Sequence, residues 1–316
     1  MAYTGTGTVD DPYIPDTCAD LYTLMSMAGY IELRKDFDFA QDTTYQAGVS
    51  TAIRIGDTNA LATIYSSEDT TINPTYRMYR INGLKVTDNN FMYTANNVVS
   101  TFKHVFLSNC IHVKKTTATT FHSSGGTNGL TFDDCKISIA VKTNSSYNFA
   151  LTASQLYYTN SSIYVQYVVY PEITSANLLP IFISSSSHCS KCCFEIHGWY
   201  TNLDVSSYDN NLISFVSNST FYGDVNIVKD ADTKVKFTTQ YLTNCCFAMQ
   251  MIQTNPEVTD DTIILNNRNY TSLSIANSDM IDSQNLSVTD SNTLALCTTA
   301  QMQNQSHYLE QIGFLL

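Results

Sequence analysis

Leu242–Met249 reads LTNCCFAM, and the recurrence of this form along the chain decides the fold. The other copies are LSNCIHV from Leu107, FDDCKISI from Phe132, YTNSSIYV from Tyr158, CSKCCFEI from Cys189, VSNSTFYG from Val216 and IANSDMID from Ile275. Each runs apolar, small or polar, Asn-like, Cys or Ser, any residue, then a bulky apolar residue. The copies recur at intervals of roughly 26 residues, with the longest steps from Tyr158 to Cys189 and from Leu242 to Ile275. A weaker copy, INGLKV, starts at Ile81, one such interval before Leu107.

A repeat of about 26 residues with strand-like alternation and no room for a long helix is the mark of a stacked-coil solenoid. Leucine-rich repeats would show fixed leucines at shorter intervals, and propeller blades need about 40 residues. The pattern therefore predicts an all-β parallel β-helix. Alternation sends the first apolar residue, the Cys or Ser and the following bulky residue (Ile137, Ile163, Phe194, Phe221, Phe247, Met280) inward. The Asn-like residue (Asn109, Asp134, Asn160, Asn218, Asn244, Asn277) falls at the bend, where Asn and Asp accept left-handed dihedrals.

This register places Cys110, Cys135, Cys192 and Cys245 in one interior ladder, with Cys110 and Cys135 on neighbouring coils. A buried free thiol packs as a small hydrophobe, which suits a crowded turn. Neighbouring cysteines on one strand point to opposite faces, so Cys193 and Cys246 should face outward. Cys189, Cys192, Cys193 and His197 have one CxxC spacing and no second, so the repeat accounts for them better than zinc does. Nine cysteines and an N-terminus with neither a basic nor an apolar leader region read as reduced thiols.

Composition agrees. Charged residues make up only 14% of the chain, Tyr occurs 21 times, and Ser, Thr and Asn fill most polar positions, a mixture that favours strands and turns over helices. The 16 basic and 28 acidic residues give a net charge of -12, and no basic run is longer than the pair Lys114-Lys115. Nucleic acid and anionic membranes are thus poor partners.

The ends differ from the middle. Thr17 and Asp20 form a capping-box start, Leu21, Leu24 and Met25 follow at helical spacing, and Gly29 stops the helix before the strand-like YIELRKDFDF. Thr299, Met302, Tyr308, Leu309 and Ile312 suggest a second short helix before the terminal Gly313-Phe314-Leu315-Leu316. Such elements would cover the open strand edges of a solenoid. The predicted organisation is an N-terminal cap over 1–40, coils over 41–296 and a C-terminal cap or docking segment over 297–316.

GTGTVDDPYIPDTCADLYTLMSMAGYIELRKDFDF, from Gly5 to Phe39, resembles the opening module of many phage, prophage and bacterial surface proteins of the right-handed β-helix, pectate-lyase-like class. TTAQMQNQSHYLEQIGF, from Thr298 to Phe314, is similar to a Thr-x-x-Gln…Tyr-Leu…Gly-Phe segment that accompanies it. The resemblance implies a right-handed solenoid with short caps, serving as a phage virion structural protein: a head or tail appendage, fibre or decoration protein. It implies assembly in the host cytoplasm, contacts with capsid, portal or tail proteins and with host surface glycans, and a homo-oligomer, typically a trimer. A bacterial surface adhesin module is the alternative, and a glycan lyase or hydrolase the third.

Glycan-cleaving enzymes need paired carboxylates or acidic calcium ligands on adjacent coils. The outward position after the bulky residue reads Ser138, Tyr164, Glu195, Tyr222, Ala248 and Ile281, with one carboxylate. Asp133 with Asp134, Asp230 with Asp232 and Asp260 with Asp261 read as turn or loop acids. No catalytic residue, metal ligand or cofactor is assigned. The candidate contact residues are Tyr164, Glu195 and Tyr222, with His197 and Trp199 just beyond a coil corner.

Overall fold

A computed structural model describes residues 3–42, 51–57, 60–68, 77–87, 89–94, 99–114, 120–123, 129–143, 149–150, 152–153, 156–169, 180–181, 188–203, 210–217, 220–229, 235–243, 246–253, 263–267, 274–277, 286–288 and 294–297. They fall into two compact units, one of residues 1–143 with 152–165, the other of 144–151 with 166–316.

The first unit is a parallel β-solenoid. After helix α1 (Cys18–Met25), one turn runs through β1 (Gly29–Leu33), β2 (Phe37–Asp38) and β3 (Ile53–Ile55). The next runs through β4 (Ala62–Ser66), β5 (Tyr79–Asn82), β6 (Lys85–Thr87) and β7 (Met92–Thr94), and the third through β8 (Val99–Lys103), β9 (Val105–Lys114) and β10 (Phe121–Ser123). Then come β11 (Gly129–Asp133), β12 (Lys136–Thr143), β13 (Phe149–Ala150, which belongs to the second unit), β14 (Thr152–Ala153), β15 (Leu156–Thr159) and β16 (Ser162–Val169). Sheet I has the order β1-β4-β8-β11-β15, sheet II β2-β5-β9-β12-β16 and sheet III β3-β7-β10-β14.

In-register stacking turns the repeat into interior columns. Ile31, Ile64, Phe102, Phe132 and Tyr158 align across sheet I. Phe102 and Phe132 stack at 5.4 Å between ring centroids, and Phe132 and Tyr158 at 5.2 Å. Phe121 from sheet III meets the edge of Phe132 at 5.3 Å. All four rings are buried, so sheets I and III close on one aromatic core.

The corner between sheets I and II is made by His104, Asp134 and Asn160, and Lys191 of the second unit shares their left-handed conformation, with φ between 49° and 55°. Sheet II carries a second left-handed site, Gly83 with φ 75° and Asn109 with φ 49°. Ile81 pairs with Leu107 and Lys85 with Ile111, so Gly83 and Asn109 are equivalent bulge residues. β12 lacks the extra residue: Ile137 pairs with Leu107, yet Ile139 pairs with Cys110.

The bulge corrects the predicted ladder. Phe132 stacks on Phe102, not on Leu107, so Cys110 and Cys135 are not equivalent. Cys110 lies beside Ile139, whereas Cys135 follows the corner residue Asp134 and its amide donates to Ser161 Oγ at 3.0 Å. Cys192 follows the left-handed Lys191 in the same way. The copy at Ile275 is also displaced, because Ile275 pairs with Cys246 where the repeat would set it beside Leu242.

The N-terminal arm lies along β1. Tyr13 N–H donates to the Tyr30 carbonyl at 2.8 Å, Tyr30 N–H to Gly7 at 2.9 Å and Glu32 N–H to Tyr13 at 2.9 Å. Close approach requires Gly29, at φ 119°, where an added methyl would stand 2.5 Å from the Gly7 carbonyl oxygen. Helix α1 starts on the Thr17–Asp20 capping box and buries Leu21, Leu24 and Met25. Its end meets β3, with Gly56 N–H donating to the Met25 carbonyl at 2.8 Å and the Arg54 guanidinium to that of Ser26 at 3.0 Å.

In the second unit β13 pairs with β17 (Pro180–Ile181). The remaining strands are β18 (His188–Ser190), β19 (Cys193–Leu203), β20 (Asn210–Ser217), β21 (Thr220–Lys229), β22 (Val235–Thr243), β23 (Cys246–Gln253), β24 (Ile263–Asn267), β25 (Ser274–Asn277), β26 (Leu286–Val288) and β27 (Leu294–Cys297). They stack in the orders β18-β20-β22-β24-β26 and β19-β21-β23-β25-β27. Cys245, Asn218, Asn244, Met280, Ile281, the loop acids Asp230, Asp232, Asp260 and Asp261, and the C-terminal helix expected from Thr299 lie outside the described residues.

Candidate functional site

Most of the thiols whose burial is described behave as core. Cys110, Cys135, Cys189 and Cys192 are buried, and Cys193 is half-exposed. Burial pushes the Cys110 and Cys135 thiols up to about 12, because a thiolate there would lose its hydration. A thiol so held is neither a nucleophile nor a ready metal ligand. Among the described residues no group of three or more His, Cys, Asp or Glu is placed to hold a metal ion. Nor is any described helix long and apolar enough to cross a membrane.

His112, fully buried at the inner face of β9, has both ring nitrogens engaged. Its Nε2 donates to the Asn89 carbonyl at 2.7 Å, and Nδ1 is hydrogen-bonded with Thr120 Oγ1 at 3.0 Å. A carbonyl can only accept, so this geometry places a hydrogen on Nε2. The residue knits sheets II and III together.

A cleft of about 350 Å³ between α1 and β3 is lined by Tyr22, Ser26, Thr51, Ile53, Arg54 and Tyr93. Its charged side chain is already occupied: Arg54 bonds the Gly56 and Ser26 carbonyls and pairs with Asp57 at 2.7 Å.

Four of the five candidate contact residues lie on two paired strands, β19 and β21. β19 and β21 pair Glu195 with Tyr222, His197 with Asp224 and Trp199 with Asn226, and β23 adds Ala248 beside Tyr222. Asp224, which sequence inspection did not single out, is thereby the register neighbour of His197. Tyr164 lies on β16 and is half-buried.

The more informative surface is the outer face of sheet II in the first unit. Register assembles three rows across β5–β6, β9 and β12. The first is Arg80, Phe106 and Lys136, the second Lys85, Ile111 and Ala140, the third Thr87, Val113 and Lys142. Arg80 and Lys136 are exposed and the others half-buried. The Arg80 guanidinium sits 5.3 Å from the centre of the Phe106 ring. That is a cation–π contact. Among the described residues none of these four cations is in an ion pair.

This face is invisible as a run. Residues 77–142 hold eight of the sixteen cations against three carboxylates, but no more than two cations are adjacent in sequence. Stacking at about 4.8 Å per turn brings residues about 26 to 30 positions apart side by side. The face's first-turn side is acidic and internally bonded. Asp36 Oδ1 accepts from Arg80 N–H at 2.9 Å, and Asp38 Oδ1 accepts from Asn82 Nδ2 at 2.8 Å. Asn82 Oδ1 in turn accepts from Asn109 Nδ2 at 2.8 Å and Ser108 Oγ at 2.9 Å, a polar ladder along the axis.

Fold and surface thus define a parallel β-solenoid with a cation-rimmed apolar face. No protein-family model, curated protein or solved structure matches the chain.

Proposed function

We propose that the protein is a non-enzymatic structural component of a phage particle, a right-handed parallel β-helix carried as a head or tail appendage, fibre or decoration protein. The observation that carries this reading is the behaviour of Gly5–Phe39, the segment with the resemblance. It makes a continuous closure over the first turn, the arm bonding the edge of β1 and α1 lying against β3. Covered edges keep a solenoid from adding foreign strands, so the module serves as an end cap, with 41–296 as coils and 297–316 as the opposite cap or a docking segment.

Right-handedness follows from the strong bias of parallel crossover connections, about 98% of which are right-handed. The outer faces of Tyr, Asn and basic side chains offer contacts to capsid, portal or tail proteins and to host glycans, and the side of the coil suits a homotrimer. Assembly takes place in the host cytoplasm, where the buried thiols stay reduced.

Immunogold electron microscopy of the source culture, with antibody to this chain applied to cells and filtered particles together, tests the reading. Gold at particle heads or tails is expected. Gold on cell envelopes with clean particles overturns it in favour of an adhesin.

A further inference from the structure

We propose that the cation-rimmed face of β5–β6, β9 and β12 docks the Thr8–Asp11 turn of a second copy of this chain. The centre of the face is apolar, with Phe106, Ile111, Val113 and Ala140 half-buried, and the rim is Arg80, Lys85, Lys136 and Lys142. An apolar centre inside a charged rim is the anatomy of a protein–protein contact. A polyanion would be held by the rim alone and would leave the centre unused.

The turn is complementary in both respects. Val9 is 63% exposed, more than any other large hydrophobic side chain among the described residues, and exposed Asp10 and Asp11 follow it. Residues 1–42 carry eight carboxylates against two cations, so a second copy brings an acidic end to a basic face. The turn is also pre-shaped. Gly7 and Thr6 N–H both donate to the Asp11 carbonyl, at 2.9 and 3.0 Å, and Asp11 N–H donates to Thr8 Oγ1 at 3.1 Å. Little ordering entropy is therefore lost on docking. Within its own copy the turn is fastened to β1 in sheet I by the Tyr13–Tyr30 and Tyr30–Gly7 hydrogen bonds, which keep it from sheet II.

The two surfaces differ, so the contact is head-to-side, and it closes into a ring or propagates according to the rotation between copies. One turn on one face buries less than the roughly 1,200 Å² of a stable interface, so a single contact is weak and, resting on exposed charges, salt-sensitive. The inference stands apart from the virion reading, since self-association can fail while particles still label with gold.

Sedimentation velocity of the full chain over a concentration series tests it. Wild type should associate at low salt and dissociate at high salt. Lys85→Glu with Lys142→Glu should weaken association at least tenfold, as should Asp10→Lys with Asp11→Lys, while circular dichroism stays that of wild type. Mixing the two charge-reversed proteins should restore association between them. A monomer at every concentration, association indifferent to both reversals, or no recovery on mixing overturns the proposal. So does a face whose lysines bind heparin while the protein remains monomeric.

Discussion

Phe132 is the residue on which the described core most depends. It is fully buried and touches three aromatic rings, Phe102 at 5.4 Å, Tyr158 at 5.2 Å and Phe121 at 5.3 Å. Removing a buried phenyl ring costs about 3–5 kcal/mol through lost transfer energy and the cavity left behind. Ring pairs contribute about 0.5–1.5 kcal/mol each beyond area, so Phe132→Ala should lie in the upper half of that range, about 4 kcal/mol. Against a typical domain stability of about 5–15 kcal/mol, that is a large fraction. Phe106→Ala is the matched control, since its ring lies on the outer face and loses mainly the Arg80 contact. Such a contact contributes about 0.5–1 kcal/mol at an exposed site. Urea unfolding followed by circular dichroism compares the two. Where a stacked solenoid unfolds in stages, hydrogen exchange of β8, β11 and β15 gives the local value. A Phe132→Ala loss below about 1.5 kcal/mol, or one equal to that of Phe106→Ala, would refute the stacked core.

Other consequences concern particular residues. Cys110 and Cys135 should resist iodoacetamide at pH 8 until the chain unfolds, as peptide mapping would show. Their folded values of about 12 against 9.0 mean that the folded state holds these protons more tightly, so stability is full below pH 9 and declines from pH 9 towards 12. Cys135→Ala should flatten that decline in the urea midpoint. Lys191 is left-handed at φ 55° and Asn160 at φ 50°. Lys191→Gly should therefore hold or raise the melting temperature, while Asn160→Val should lower stability by about 1–2 kcal/mol. Gly29→Ala should detach the arm from β1 and open residues 4–14 to limited proteolysis, because the methyl meets the Gly7 carbonyl.

Much of the fold was written in the repeat. A spacing near 26 gave parallel stacking, the Thr17–Asp20 box gave α1, and Asn109, Asp134 and Asn160 are left-handed. What misled was chemical likeness between two different turns. SNC at 108–110 and DDC at 133–135 both set an Asn-like residue before a small thiol, yet the first is a bulge inside a strand and the second a corner. Nothing local separates them. Lys191 takes the same left-handed conformation with a side chain that has no special liking for it, and His104 carries no Asn-like signature, so the true period was partly hidden. The basic face was illegible for the same reason, since Phe106 meets Lys136 only once His104 and Asp134 are matched as corners, and Ile111 meets Ala140 only once the extra residue at Asn109 has also been counted.

That register is therefore the measurement to make. Cysteines introduced in pairs on the outer face, probed with a short bifunctional thiol reagent and mapped by mass spectrometry, read it directly. Phe106→Cys with Lys136→Cys should cross-link efficiently, because the two are register neighbours. Adjacent parallel strands bring such neighbours to about 4.8 Å. Ile111→Cys with Lys136→Cys should not, because Ile111 is level with Ala140. At roughly 3.3 Å per residue, that sets the second pair about 13 Å apart along the strand. Efficient cross-linking of the second pair and none of the first would mean that Leu107 stacks on Phe132, and would dissolve both the face and the core described above.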